Sequence, residues 1–108
     1  MSFDIRVAKK LVMISNRCKQ KGLRFDLSLA TVKRLLQRKT CYFTGMALTP
    51  TTLTFDRVDN SKGYEEGNVV ACHQAFNQFK SFIENPENNI TLNQAKKGIQ
   101  KWSKDIKL

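Results

Sequence analysis

The spacing of apolar residues changes along this chain, and that change limits the folds that are possible. Near the N-terminus, residues 3–19 repeat apolar side chains at the spacing of one helical face. Those side chains are Phe3, Val7, Leu11, Ile14 and Cys18. Gly22 is predicted to end this helix, and Ser28 is predicted to cap a second helix. The second helix is expected to turn these residues inward: Leu29, Val32, Leu35 and Leu36.

In the middle of the chain the helical spacing is lost. Residues 41–50 are punctuated by Gly45 and Pro50, which predicts a tight β turn. Residues 52–56 alternate polar and apolar side chains, as in a half-buried strand. Residues 59–67 are rich in turn formers and are predicted to loop back across this strand.

Helical spacing returns in the last part of the chain. A third helix is predicted to begin at Asn68 and to end at Asn85, because the residue before a proline disfavours helix. Its predicted core stripe is Val69, Cys72, Phe76, Phe79 and Ile83. Thr91 is predicted to cap a fourth helix, in which Trp102 is assigned to the core. The sequence therefore predicts an α+β chain that is mostly helical, with a short β-hairpin.

The charge of the chain indicates a polyanionic partner. The 108 residues are enough for a single domain, residues 1–108, and carry 19 Lys and Arg against nine acids, a net charge of +10. So large an excess repels itself unless a partner such as nucleic acid neutralises it. No apolar run approaches the roughly 18 residues that span a bilayer. We therefore expect an intracellular protein with no membrane partner.

The cysteine pattern argues against both disulfides and structural zinc. The chain has three cysteines, an odd and widely spaced set, which does not suit a disulfide framework. No C-x-x-C pair is present, so we expect no structural zinc. Buried, reduced thiols are the simplest interpretation.

Polar residues near the predicted third helix have the chemistry of a metal site. His73, Asn77 and Lys80 are spaced so that they share one face of a helix. If the strand ending at Asp56 packs on this helix, its carboxylate approaches His73 and Asn77. Such a donor set suits a divalent cation, which phosphodiester hydrolysis needs together with a base. Alternatively, Asp56 is a turn residue and His73 a surface residue.

The chain resembles the HNH endonucleases, also called His-Me finger or ββα-metal enzymes, over residues 40–80. It is most similar to phage-type members with a C-x-x-T-G turn and a strand that ends in Asp-Arg. The matching turn here is CYFTG, residues 41–45, and the matching strand ends at Asp56 and Arg57. In the family's order there follow Gly63, Tyr64, Asn68, Asn77 and Lys80. Residues 1–39 and 87–108 are then flanking helices without a family signal.

The resemblance implies a ββα-metal-like core that binds one ion, Mg²⁺ or Mn²⁺. Asp56 is implied as its first ligand and Asn77 as its second. Asn68 is implied to brace the loop between them, by capping a helix or orienting the backbone. Gly63 is implied to permit the turn that returns Tyr64 to the core.

Arg57 departs from the family, because many HNH enzymes place a histidine base at this position. A guanidinium stays protonated and cannot be a conventional base, although it can clamp the scissile phosphate. His73 is the single histidine of the chain and hence the one candidate imidazole base. Alternatively, a metal-bound hydroxide attacks unaided, or the site is catalytically inactive.

Two functions are compatible with these residues. The first is a metal-dependent endonuclease acting on DNA, and the second is a protein with the same core that binds nucleic acid or a host protein without cutting. A phage protein in the cytoplasm of a bacterial host fits both. The candidate nucleic-acid contacts are Lys33, Arg34, Arg38, Lys39, Lys62 and Lys80.

Overall fold

The computed structural model describes residues 2–108 and has an α+β fold, about 51% helix and 15% strand. The predicted fold class is therefore confirmed. The elements in order are α1 (Phe3–Lys21), β1 (Phe25–Asp26), α2 (Leu29–Leu36), β2 (Leu53–Arg57), β3 (Tyr64–Glu65), β4 (Val69–His73), α3 (Gln74–Glu84), a 3-10 turn (Pro86–Asn88) and α4 (Leu92–Asp105). The chain forms two compact units, the first ending at Phe76 and the second being Asn77–Leu108. None of the helices described is both long and apolar enough to cross a membrane.

The first helix follows its predicted pattern. The Ser2 hydroxyl accepts from the N–H of Ile5 at 3.3 Å, and Gly22 ends the helix in the left-handed conformation with φ 66°. Glycine adopts this conformation without steric cost, which explains the stop. The predicted face forms the core contact: Val7, Ile14 and Cys18 are buried, and Phe3 and Leu11 pack partly buried against them.

The second helix is capped as predicted, but the residue that it buries in its first turn is not the predicted one. The Ser28 hydroxyl accepts from the N–H of Thr31 at 3.1 Å. Leu29, predicted to face inward, is 54% exposed, whereas Thr31 is buried. Thr31 tolerates burial because its hydroxyl donates to the carboxylate of Glu66 at 2.7 Å. The later turns bury the expected residues: Val32, Leu35 and Leu36.

The predicted third helix is wrong in its first residues, because they form a strand. Antiparallel β2 and β4 make a hairpin in which Leu53 pairs with His73 and Arg57 with Val69. Side chains alternate between the two faces of such a hairpin. The core face carries Leu53, Phe55, Val69 and Ala71, which belong to the apolar core. The second face carries Thr54, Asp56, Val70 and Cys72.

A short parallel pair closes the loop between the hairpin strands. Phe25 of β1 pairs with Tyr64 of β3, and Asp26 pairs with Glu65. The segment after β3 also returns to α2, because a Glu66 carboxylate oxygen accepts from the N–H of Ser28 at 2.8 Å. That hydrogen bond, together with those from the Thr31 and Ser28 hydroxyls, holds the pKa of the Glu66 carboxyl below its ordinary value.

The second unit keeps the predicted breaks between its helices, but a residue of α4 that was predicted to lie in the core is exposed. The Asn85 side chain caps the 3-10 turn, and Thr91 and Gln94 form a reciprocal capping box at the start of α4. The assignment of Trp102 to the core is wrong, because this residue is 66% exposed. Ala95 is the buried residue of α4. So short a segment has too little chain to bury all its apolar side chains.

Candidate functional site

Asp56 is a buried carboxylate on the second face of the hairpin. The residue is 8% exposed, and its Oδ2 atom is buried completely. It lies one residue before the end of β2 and pairs across the ladder with Val70. Aspartate is rarely buried unless it is paired or binds a metal. Asp56 is therefore the leading candidate functional group of the first unit.

Arg57 lies next in sequence but on the other face, because successive strand residues alternate. Its Nη1 atom donates to the carbonyl oxygens of Asn60 at 3.0 Å and Lys62 at 2.8 Å. Its guanidinium carbon lies 5.5 Å from the centroid of the Tyr64 ring. Arg57 thus fastens the loop that follows β2. Its role as a phosphate clamp stays a prediction.

His73 is the last residue of β4, so the helical face predicted for His73, Asn77 and Lys80 is wrong. Its Nδ1 atom accepts a hydrogen bond from the N–H of Ala75 at 3.1 Å. A neutral imidazole that accepts through Nδ1 carries its proton on Nε2. In this arrangement the ring has no free lone pair with which to take a proton from water. His73 is therefore placed to cap α3, and its role as a base stays a prediction.

Asn68 braces the loop between β2 and β4. Its Nδ2 atom donates to the carbonyl oxygens of Asp59 at 3.1 Å and Gly63 at 2.9 Å. Its Oδ1 atom accepts from the N–H of Asp59 at 2.9 Å. Asn68 is 8% exposed, so these bonds satisfy a buried amide and fix the loop beside Asp56.

Gly63 and Tyr64 join this loop to the start of the chain. A Cβ atom on Gly63 would overlap the backbone carbonyl of Arg24, so close approach, not an unusual turn, requires glycine here. The next residue donates its N–H to that same carbonyl at 2.9 Å. Tyr64 is 5% exposed within the core, and its hydroxyl accepts from Arg17 at 3.3 Å.

The predicted nucleic-acid contacts fall into different environments. Four of them surround the end of α2, where Lys33 is half-buried and three are exposed: Arg34, Arg38 and Lys39. Lys62 is exposed on the loop that Arg57 holds. Lys80, in the second unit, makes an ion pair of 2.7 Å with Glu84. That carboxylate competes with any phosphate for the Lys80 ammonium group.

Two of the cysteines meet in space, which the sequence analysis missed. The Sγ atoms of Cys41 and Cys72 are 3.9 Å apart, although 31 positions separate the residues. All three cysteines are buried and free, as predicted. Burial raises the pKa of the Cys41 thiol, but hydrogen bonds from the Thr44 side chain and from nearby backbone groups bring it down to about 7. Sequence spacing carries no signal for such a contact.

A hydrated Mg²⁺ or Mn²⁺ ion fits the chemistry of Asp56. Mg²⁺ is commonly bound through one or two carboxylates and keeps several waters. Within residues 2–108, no group of three or more His, Cys, Asp and Glu side chains is arranged to hold a metal. The second predicted ligand, Asn77, is half-buried in α3 and is the first residue of the second unit. Its role as a ligand stays a prediction.

The fold and this group of residues define an α+β protein with one buried carboxylate on a small hairpin. The chain is 28% identical over 80 residues to an uncharacterized 29.0 kDa protein from the dda-modA intergenic region of Enterobacteria phage T4. That similarity covers 70% of this chain and 32% of the phage protein, so the chain spans about a third of that protein's length. No family model matches the chain, and no solved structure matches it.

Proposed function

We propose that this chain is a metal-dependent, HNH-like endonuclease that hydrolyses phosphodiester bonds in DNA. The observation that carries the proposal is the burial of Asp56 on the face of the hairpin that does not form the apolar core. The net charge of +10 supports a nucleic-acid substrate. The order of the residues from Cys41 to Lys80, which resembles that of the family, supports the HNH assignment.

Asp56 has the central role in this proposal, with Asn77 as the proposed second ligand. A divalent cation held there would supply a positive charge for the phosphate oxygens and would lower the pKa of a water molecule. Asn68 keeps the loop beside Asp56 in place through its three hydrogen bonds. The exposed cations at the end of α2 hold the DNA backbone.

The test is a plasmid-nicking assay with Mg²⁺ or Mn²⁺ that compares the wild type with Asp56→Asn. This change keeps the shape of the side chain but removes its charge, and we expect nicking to fall by at least about 100-fold. Asp26→Asn is the matched control, because Asp26 is an exposed carboxylate 3.5 Å from Arg24. Nicking that survives Asp56→Asn would contradict the proposal.

A second candidate function is nucleic-acid or host-protein binding without cleavage. Two observations favour it: Arg57 holds backbone carbonyls, and His73 caps α3 through the nitrogen that a base would need. Absence of nicking with any divalent metal, together with retained DNA binding, would favour this candidate. Retained folding without DNA binding would indicate a host protein as the partner.

The cellular setting follows from the same proposal. Similarity to a phage T4 protein supports a phage origin and therefore the cytoplasm of a bacterial host. DNA in that compartment is a substrate consistent with a strongly basic protein.

A further inference from the structure

The first unit contains a cleft between α2 and the outer edge of β4, which we call the α2–β4 cleft. Its volume is about 620 Å³, and its lining includes Arg34, Arg38, Tyr42, Val58, Glu65 and Val70. A cavity of this size accommodates a group as large as a nucleotide.

The cleft has a positive wall. Arg34 lies in α2 and Arg38 two residues beyond its end, and both are exposed. Glu65 supplies a negative charge to the lining, but its carboxylate accepts from the N–H of Gly63 at 2.9 Å and lies 3.7 Å from Arg24. The lining thus carries two arginines against one carboxylate, and guanidinium groups match the geometry of phosphate.

The cleft also has an aromatic wall. Tyr42 is 66% exposed, and its ring packs edge-on against Phe43 with centroids 5.2 Å apart. Phe43 in turn packs against Phe76 at 5.2 Å, so the Tyr42 ring is supported from behind. An exposed ring that packs against other rings, in a cleft whose lining also contains arginines, can stack on a nucleic-acid base.

Asp56 does not itself line the cleft, but two residues close to it in the hairpin do. Val70, in its lining, is the cross-strand partner of Asp56. Val58, also in the lining, follows Asp56 by two residues and lies just beyond the end of β2. A strand of nucleic acid lying in the cleft would therefore contact residues that neighbour the proposed metal ligand in the hairpin.

We propose that the α2–β4 cleft binds an unpaired DNA strand, with phosphates on Arg34 and Arg38 and one base stacked on Tyr42. Bases in a duplex are stacked on one another and cannot reach a ring inside a cleft, so the aromatic wall selects an unpaired strand. This inference names the substrate of the proposed nuclease, and its position beside the scissile phosphate rests on that proposed function.

The test measures binding by fluorescence anisotropy in EDTA, with a labelled single strand and the duplex of the same sequence. We expect the single strand to bind at least about tenfold more tightly than the duplex. Tyr42→Ala should weaken single-strand binding by roughly tenfold, and Tyr42→Phe should retain it because the ring is kept. Tyr42→Leu keeps a larger apolar side chain than alanine but has no ring. It should bind the single strand as weakly as Tyr42→Ala, which would show that the loss does not come from a folding defect of the alanine variant.

The arginines are tested separately with Arg34→Gln/Arg38→Gln. This variant should reduce the slope of log affinity against log salt by about 1.4, because each single-strand phosphate contact contributes about 0.7. The control Lys19→Gln/Lys21→Gln removes two exposed charges outside the lining and should leave the preference for the single strand unchanged.

Three outcomes would overturn the inference: equal binding of single strand and duplex, tighter binding of single-stranded RNA, or single-strand binding insensitive to all Tyr42 variants. The assay also separates this inference from the proposed function. Single-strand preference without cleavage of either the single strand or the plasmid in any metal would refute the nuclease and keep the cleft. Nicking with no preference for an unpaired strand would refute the cleft and keep the nuclease.

Discussion

Gly63 shows at the scale of one residue why the loop after β2 has its shape. Its Cα lies against the backbone of Arg24, where no side chain fits. The resemblance to HNH enzymes marked this glycine, but the reason expected was a turn. Single-sequence reasoning could not find the true reason, because the neighbour lies 39 positions away and is brought there by the pairing of β1 with β3.

We expect Gly63→Ala to destabilise the protein by roughly 1–3 kcal/mol, the usual cost of forcing a group into filled space. Gly98→Ala is the control, because a Cβ there meets no atom within 4 Å and lies inside α4. That change should be neutral or stabilising by up to about 1 kcal/mol. Urea unfolding followed by circular dichroism measures both. Equal stabilities for the two variants would show that the approach to Arg24 is not tight.

Cys41 carries a prediction about pH. Its folded pKa of about 7 lies below the ordinary thiol value of 9.0, chiefly because hydrogen bonds outweigh burial. A thiolate favoured in the folded state stabilises it fully above the unfolded pKa, and this contribution is lost as the pH falls through the folded value. The stability advantage of wild type over Cys41→Ser should therefore grow between about pH 7 and pH 9.

Urea unfolding at a series of pH values measures this advantage, and the thiolate absorbance difference between the two proteins gives the pKa directly. Parallel stability curves for wild type and Cys41→Ser, or a titration near the ordinary thiol value, would contradict the prediction. Cys72 is present in both proteins, so the substitution changes only the residue 41 partner of the Cys41–Cys72 contact.

At the scale of elements, the junction of β4 and α3 explains the main error of the sequence analysis. Val69, Cys72 and Phe76 fit a helical stripe, and periodicity alone cannot separate a short buried strand from a helix. The β-branched pair Val69 and Val70 after Gly67 was the available signal for a strand. Pairing with β2 decided the outcome, and such long-range pairing is not visible in local spacing.

The same junction gives a test of His73 as a helix cap. His73→Ala should lower stability by about 0.5–2 kcal/mol, because the N–H of Ala75 loses its acceptor. His73→Asn supplies a capping oxygen without a base and should recover most of that loss.

Plasmid-nicking activity distinguishes a capping role of His73 from a role as catalytic base. If His73 only caps α3, His73→Asn should nick plasmid DNA at close to the wild-type rate once the protein is shown to be folded. Loss of nicking in His73→Asn at wild-type stability would instead assign the imidazole a chemical role.

At the scale of the whole molecule, composition was the most informative part of the sequence for function. The net charge of +10 follows from composition alone, without knowledge of the fold, and it remains the physical basis for the proposed nucleic-acid partner. The candidate site was harder to predict. Asp56 and Asn68 could be selected from their order in the chain, whereas the roles of Arg57 and His73 depend on backbone contacts that only the folded loop creates.

The charge leads to a last prediction about duplex DNA. Binding through phosphates should weaken steadily with salt, with a slope of log affinity against log salt of about −0.9 for each contact. Lys33→Gln/Lys39→Gln, which removes two cations at the end of α2, should make that slope shallower by about 1.8 if both touch phosphates. Lys19→Gln/Lys21→Gln is the control with the same change in net charge. Anisotropy titrations between low and physiological salt measure the slopes. Equal slopes for the two double variants would show that net charge alone attracts the duplex, and affinity independent of salt would indicate that the partner is a protein.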